Sequence, residues 1–390
     1  MKPQGTGPGD QAATGHPMLG VLGGGQLGRM FVHAAQVHGY RVTVLEPDPA
    51  SPAGAAADVH LQAPYVDPAA WDTLARTCDG VTTEFENVPA QALRELADRL
   101  PVAPGADAVE VCQDRAREKR CFAEAGIPCA PHAVIRTADD AARPEHAALL
   151  PGILKTASMG YDGKGQRVVE QIGALPAAWA ALGGVPCVLE QRLPLRLEIS
   201  VVVARSRDGQ TVHLPVQQNL HRAGILAVTQ VPAPDVDPVL AQRAVDQAGR
   251  LADALGYVGV LCVEFFVLDD GSLVANEMAP RPHNSAHWSV DGSDVSQFDL
   301  QVRTLAGLPL VVPRQHSAAV MLNLLGDLWA AGTPDWAAVL ALPGVHLHLY
   351  GKSEPRPGRK MGHLTVTAPD LAAARAVALQ VAGRLGLPPF

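Results

Sequence analysis

The residues best placed to do chemistry in this chain are two glutamates flanking a turn. In YVGVLCVEFFVLDDGSLVANEMAPRPHN, Asp270-Gly271 is a strong two-residue hairpin signal. A turn centred there pairs Glu264 with Glu277 across the strands, on one face, with Cβ atoms about 5 Å apart. Two carboxylates that close repel and raise a pKa unless a cation joins them. Mg²⁺ is the natural partner, because it favours carboxylates together with substrate phosphates. The alternative is a bulge that turns one glutamate to solvent.

Two glycine-rich stretches suit phosphates in different ways. GYDGKGQ (residues 160–166) lies between the strand-like runs ILK and RVVE, so it reads as a hairpin flap. Glycine lets such a flap lie close over phosphates, and Lys155 on the preceding strand could reach them. A solvent hairpin that happens to be glycine-rich stays open. GGGQLG (residues 23–28) contains GxGxxG between a strand and a helix, and Glu46 closes the next strand. That context fits a dinucleotide, another phosphorylated ligand at a helix N-terminus, or a tight turn with no ligand.

Three further clusters point to anions or ligands. His283 and His287 follow Pro280 and Pro282, so their spacing of four does not make a helical metal pair. Arg281, His283 and Asn284 read instead as donors aimed at an anion. GKSEPRPGRKMGH crowds Lys352, Arg356, Arg359 and Lys360 into one short loop, either an anion site or a solvated turn. Glu84 and Glu86 in TEFENV sit at a strand end, where open α/β sheets bind ligands.

The elements that must position these groups follow from periodicity. Residues 19–22, a glycine turn, a helix over 26–37 and a strand over 41–45 make a strand–helix–strand unit, which implies a parallel sheet. Helices over 68–77 and 89–99 and a strand over 80–83 continue the α/β pattern. A helix over 114–125 follows, then a mostly antiparallel hairpin region, an amphipathic helix over 238–255 and the hairpin over 258–277. A helix over about 295–307 leads to strands near 318–324, 345–350 and 363–367 and a helix near 369–385. Residues 1–17, rich in Gly, Pro, Gln and Thr, read as a disordered tail.

Composition narrows the class. The net charge of −8 argues against a nucleic-acid binder, which needs a basic face. No apolar run reaches membrane-spanning length, and the N-terminus lacks a signal-peptide core. Six cysteines without a CxxC pair suggest reduced thiols in a cytosolic protein. Of 31 basic residues only Lys2, Lys119, Lys155, Lys164, Lys352 and Lys360 are lysines. A lysine kept amid arginines suggests a site needing a compact point charge. Lys2 in the tail and Lys119, one turn beyond Arg115, need no such role.

Taken in order, LGGGQLGRM, TEFENVP, QDRAREK, GYDGKGQ, EQRLPLRLEIS, NLHRAGIL, YVGVLCVEFF, NEMAPRPHNSAHW, SQFDLQ, MLNLLG and HLYGKSEPRPGRKMGHLTV span most of the chain. Together they resemble the ATP-grasp enzymes, and among them the 5-(carboxyamino)imidazole ribonucleotide synthases of purine biosynthesis (the ATPase subunit type of phosphoribosylaminoimidazole carboxylase). The relative that formylates glycinamide ribonucleotide shares the grasp motifs but not HNSAHW or RPGRKMGHL.

The resemblance implies an α/β protein with an ATP-grasp fold. A Rossmann-like pre-ATP-grasp domain would span 18–113. The ATP-grasp domain would span 114–312, with a lid over about 130–205, and a small C-terminal domain 313–390. It implies ATP, Mg²⁺ and bicarbonate acting with aminoimidazole ribonucleotide, in a cytoplasmic homodimer that hands its product to a downstream mutase. Bicarbonate would attack the γ-phosphate to give carboxyphosphate, and the aminoimidazole would then take the carboxyl group.

Residue by residue, Arg115, Lys155 and the flap Gly160, Tyr161, Asp162, Gly163, Lys164, Gly165 and Gln166 would hold the ATP phosphates. Glu190, Gln191, Arg192 and Leu193 would form the linker whose backbone reads adenine. Glu198 would bind the ribose and His221 would lie near the nucleotide. Asn276 and Glu277, with Glu264, would hold Mg²⁺ and the γ-phosphate. Arg281, His283 and Asn284 would surround bicarbonate or carboxyphosphate. Gln26, Leu27, Glu84, Tyr161, Asp162, Lys352, Arg359 and Lys360 would bind the ribonucleotide, so that the first glycine loop would hold its phosphate. Asp162 would handle the amine proton, with Arg281, His283 and Lys360 as its catalytic companions. Lys155 and Lys164 would thus serve ATP, and Lys352 and Lys360 the ribonucleotide.

Ser158-Met159 and Ala286 depart from the family pattern, the latter by one methyl near the anion site. Another ATP-grasp ligase, a dinucleotide oxidoreductase resting on GGGQLG, and an inactive nucleotide binder are the competing readings.

Overall fold

The computed structural model describes residues 16–158, 160 and 165–390. Tyr161, Asp162, Gly163 and Lys164 of the flap, Met159, and most of the expected N-terminal tail lie outside the described residues. No described helix is long and apolar enough to cross a membrane.

The N-terminal unit is a four-stranded parallel sheet, in the order Val59–Leu61, Arg41–Leu45, Met18–Leu22, Gly80–Thr83. Apart from the edge strand Val59–Leu61, its strands are short runs buried on both faces, as parallel strands flanked by helices must be. Helix Gln26–Val37 buries Leu27, Phe31, Val32 and Ala35 on one side. Helices Pro68–Thr77 and Ala90–Ala97 cover the other with Trp71, Leu74, Leu93 and Leu96. The strand Val59–Leu61 and the helix Ala106–Cys112 were not legible in the sequence, because each is too short to show a period.

A nine-stranded sheet forms the centre. Its path runs Leu273–Ala279, Gly259–Leu268, Leu195–Arg205, Gln217–Arg222, Ile225–Val231, Ala318–Leu325, Lys360–Ala368, Val345–Leu349, with Thr211–His213 attached to Leu195–Arg205. Alternation sorts its two faces. Val263, Phe265 and Val267, with Ile199 and Val201, pack against helix Pro238–Ala254 through Leu240, Ala244, Ala248 and Leu251. The intervening residues, including Glu198, Ser200, Glu264 and Phe266, fall on the opposite face. The strands expected to form a separate C-terminal domain continue this sheet, and helix Leu371–Leu385 covers them.

A second antiparallel sheet, in the order His132–Ile135, Cys187–Gln191, Gly152–Thr156, Gln166–Val169, lies where the lid is expected. Leu195–Arg205 does not belong to it. That strand pairs along its length with Gly259–Leu268, so the lid sheet ends at Gln191 rather than near 205. All six cysteines are free, and none is exposed.

Candidate active site

The hairpin brings Glu264 and Glu277 opposite each other, though not by the expected turn. The loop is Asp269-Asp270-Gly271: the N–H of Leu268 donates to the carbonyl of Ser272 and Gly271 takes φ +79°. A three-residue loop would pair Phe265 with Ala275, as observed, and offset the glutamates by one. A bulge at Asn276 restores the match. So the bulge does not turn a glutamate away; it aligns the two.

The pair is not symmetric. Burial and then the Glu277 charge push the Glu264 carboxyl up to about 7. Burial acts on Glu277 as well, but Arg115 and Lys155 outweigh it and hold Glu277 below the usual range. Arg115 Nη1 lies 3.0 Å from Glu277 Oε2. The Asn276 side-chain oxygen is buried without a hydrogen-bond partner. An unsatisfied buried oxygen beside two convergent carboxylates suits a hard divalent cation.

Helix Arg115–Glu124 supplies the cations behind the pair. Asp114 caps it by accepting from the N–H groups of Ala116 and Arg117. Arg115 then points to Glu277, and Lys119, one turn on, is fully buried. Lys119 Nζ donates to the Asn276 carbonyl at 2.9 Å and pairs with Glu190 at 3.3 Å. Sequence reasoning gave this lysine no role, and the structure corrects that. Glu118 was missed too: its Oε1 accepts from the Met278 N–H, and burial pushes it to about 7 against the pull of Lys119 and Arg115. The signal for both was present in their helical spacing from Arg115.

Lys155 lies on Gly152–Thr156, opposite Gln166, and the two strands that flank the flap pair antiparallel. Its Nζ donates to Glu190 Oε2 at 2.9 Å. Burial opposes ionisation of Glu190, yet Lys155 and Lys119 together hold it at about 2. In the linker, the N–H groups of Gln191 and Arg192 donate to the carbonyls of Pro131 and Pro151. Neither of these two N–H groups is open to a base. Gly165, at φ +71°, closes the flap where a Cβ would lie 2.7 Å from Thr156 Oγ1.

Glu198 and His221 come together at the far end. A bulge between Leu220 and His221 turns the imidazole toward Glu198. Burial lowers the His221 pKa, but Glu198 and Glu264 reverse this and the net shift is upward.

The anion-facing loop is built on buried hydrogen bonds. Gln297 opens helix Gln297–Ala306, which Ser296 and Asp299 cap reciprocally. Gln297 accepts from the His283 N–H and donates to its carbonyl. His283 Nδ1 accepts from the Ser285 N–H, so Nε2 carries the hydrogen and faces Glu264 Oε1 at 3.3 Å. Burial, then Arg281 and Lys360, keep His283 well below its usual pKa. It is therefore a neutral donor. Arg281 gives its Nε to Glu86 at 2.6 Å. Asn284 Oδ1 accepts from Asn323, a partner sequence reasoning missed, and its own NH₂ is buried without a partner. The Ala286 methyl joins the apolar cluster of Trp288 and Cys262 rather than the anion site.

The first glycine turn is a correction. Gly25 and Gly28 N–H groups donate to Glu84, and Gly24 N–H donates to Glu46. The helix N-terminus is thus filled by the protein's own carboxylates. A Cβ on Gly23 would lie 2.2 Å from Glu84 Cγ, and one on Gly24 2.3 Å from Glu46 Cγ. The glycines admit these glutamates, and the three N–H groups are engaged by carboxylates rather than open to a phosphate in this structure. Gln26 and Leu27 still line the cavity.

That cavity, about 970 Å³, is lined by Glu84, Arg115, Lys155, Glu264, Glu277 and His283 and by the cationic loop. Lys352, Arg359 and Lys360 reach it from the loop, with Arg356, which also pairs with Glu354. The loop is clamped: Gly326 N–H donates to the Arg359 carbonyl, and a Cβ on Gly326 would strike the Arg356 backbone. Gly160, Gln166, Glu198, His221, Asn276, Arg281 and Asn284 line the same space.

This chain is similar to known proteins over most of its length. The ribonucleotide synthetase preATP-grasp domain matches residues 17–113, the ATP-grasp domain 120–298, and the phosphoribosylaminoimidazole carboxylase C-terminal domain 319–377. The N5-carboxyaminoimidazole ribonucleotide synthase of Brucella melitensis is 42% identical over 90% of this chain and 96% of its own. That of Pseudomonas aeruginosa is 41% identical over 92% and 96%. The Aspergillus clavatus enzyme, solved in complex with ADP and 5-aminoimidazole ribonucleotide, superposes with a TM-score of 0.86 at 32% identity, covering 95% of this chain and 99% of that one. The chain therefore belongs to the N5-carboxyaminoimidazole ribonucleotide synthases, ATP-dependent ligases of the ATP-grasp fold.

Proposed function

We propose that this chain carboxylates the amine of 5-aminoimidazole ribonucleotide, using ATP and bicarbonate, on the route to IMP. The observation that carries this reading is the meeting of three chemistries in one cavity: the Glu264/Glu277 pair, the Arg281–His283–Asn284 donors and the Lys352/Arg359/Lys360 loop. The ligands of the Aspergillus clavatus complex support the same pairing of nucleotide and ribonucleotide.

In the proposed reaction a bicarbonate oxygen attacks the γ-phosphorus, and the bond to ADP breaks. The exocyclic amine then attacks the carbonyl carbon of carboxyphosphate, phosphate leaves, and the amine loses a proton. Catalysis of this kind is mainly positioning and charge neutralisation. Lys155 and Arg115 would exchange their present carboxylate partners for ATP phosphates. The Asn284 NH₂ and the His283 Nε2–H would donate to the carboxyphosphate oxygens. Glu198, paired with His221, would receive the ribose hydroxyls. Asp162 would take the amine proton. Glu264, Glu277 and the Asn276 oxygen would hold Mg²⁺, which when bound offsets the negative charge of the phosphates. The product would pass to a downstream mutase, and the chain would work as a cytoplasmic homodimer.

The test is ADP release with Mg-ATP and bicarbonate, with and without the ribonucleotide. The expected result is release that rises with ribonucleotide and yields a carboxylated product. Release indifferent to the ribonucleotide, without that product, would overturn the proposal.

A further inference from the structure

A second cluster of ligating side chains lies outside the cavity, where the C-terminal strands meet the centre of the molecule. Strand Val345–Leu349 carries His346 and His348 two apart, so both point to one face. His348 pairs directly with His363 on Lys360–Ala368, and cross-strand partners share a face. The short helical turn Ser289–Gly292 lays Asp291 across them. Asp291 Oδ2 lies 2.8 Å from His348 Nε2, and Oδ1 lies 3.7 Å from His346 Nδ1. One ligand atom each from Asp291, His348 and His363 falls within 4.8 Å of the others.

Two buried imidazoles, one in the cluster and one beside it, each have an unpaired nitrogen. His363 is fully buried; Tyr350 engages its Nδ1 at 2.9 Å, and its Nε2 has no partner. His287, also fully buried, lies with its ring tilted 41° to that of His363, centroids 4.9 Å apart; Gln297 donates to its Nδ1, and its Nε2 has no partner either. Buried imidazole nitrogens are seldom left unpaired. Tyr350 against Nδ1 of His363 is also the outer contact that orients a ligating histidine.

We propose that Asp291, His348 and His363 form a binding site for a divalent transition metal of the Zn²⁺ class. Two imidazoles and one carboxylate favour such an ion over Mg²⁺, which prefers oxygen. Tetrahedral Zn²⁺ with bonds of about 2.0–2.2 Å draws its ligands closer together than they now stand. His348, with 28% of its side chain exposed, is the ligand able to swing in, exchanging its hydrogen bond to Asp291 for a shared ion. The same exposure provides the entry path. The two histidines flank the cationic loop in sequence, so the ion would pin that loop's base to the turn bearing Asp291. The role of the loop rests on the proposed function; the metal site itself does not.

The test uses the tag-free full-length chain, stripped with chelator and dialysed against Zn²⁺ alone, with Co²⁺ absorption as a second readout. One Zn²⁺ per chain is expected. His348→Ala and Asp291→Asn should each weaken it by about tenfold or more. Glu264→Gln should leave it unchanged, which separates this site from the carboxylate pair. Far-UV circular dichroism checks folding, and the near-isosteric Asp291→Asn decides the case if His348→Ala unfolds. No stoichiometric Zn²⁺ in the wild type, or equal affinity in folded Asp291→Asn, would overturn the proposal.

Discussion

Glu264 and Glu277 stand opposite each other only because a bulge at Asn276 cancels the offset of a three-residue turn. Removing the bulge residue would slip the strand by one and send Glu277 to the other face. The bulge also leaves the Asn276 carbonyl to Lys119 and its side-chain oxygen unpaired beside the carboxylates.

Glu277→Gln should therefore cost turnover far more than stability. The amide keeps the shape but loses the charge that Arg115 faces and that a cation would need. We expect ADP release to fall by about a hundredfold or more, with a melting shift of only a few degrees. Equal loss of both would refute its assigned role.

The pH dependence of cation binding should report Glu264. Folded, this carboxyl keeps its proton to about pH 7, against 4.5 in the unfolded chain. Its contribution to folding is thus fully present below pH 4.5 and lost as pH rises through 7. A cation needs the ionised form, so binding Mg-ATP near pH 6.5 should release a proton, and affinity should rise through pH 7. Calorimetry in buffers of different ionisation enthalpy measures that release. It should vanish in Glu264→Gln.

Lys119→Met should destabilise the chain more than Lys155→Met. Lys119 is fully buried and ties Glu190 to the Asn276 carbonyl, whereas Lys155 retains access to the cavity. Glu190 keeps Lys155 in that variant, but a buried carbonyl left without its donor, together with the lost second cation, costs on the order of 2 kcal/mol. Urea denaturation should show that loss for Lys119→Met and a smaller one for Lys155→Met. For ATP affinity the order should reverse.

Gly23→Ala and Gly39→Ala separate two reasons for glycine. Both positions have positive φ, +113° and +82°. A Cβ at Gly39 meets nothing within 4 Å, so only backbone strain of about 1 kcal/mol is expected there. A Cβ at Gly23 strikes Glu84, which should displace that carboxylate from Gly25 and Gly28. Thermal melts should show the larger loss for Gly23→Ala; equal losses would mean Glu84 moves freely.

Much of the site was legible in the sequence because its chemistry is local. The paired strands that carry Lys155 and Gln166, the cationic loop and the Glu264/Glu277 pairing each follow from spacing along one or two elements. The pairing was reached through the wrong turn, since Asp270-Gly271 signals a hairpin without fixing its loop length. Pattern also marked helix Gln26–Val37 and strands Arg41–Leu45 and Gly80–Thr83, where one apolar period repeats.

What only the tertiary structure decided was who occupies each partner's hand. Lys119 is silent in sequence because its worth lies in burial against Glu190, which reaches its helix from a distant strand. The glycine turn reads as a phosphate loop until Glu46 and Glu84 arrive from neighbouring strands to fill its N–H groups. The C-terminal strands look like a separate unit until Ala318–Leu325 pairs with Ile225–Val231. The sequence by itself determined which side chains could bind anions and cations. Long-range strand pairing decided which charges meet, because periodicity records the face a residue takes and not the residue it will face.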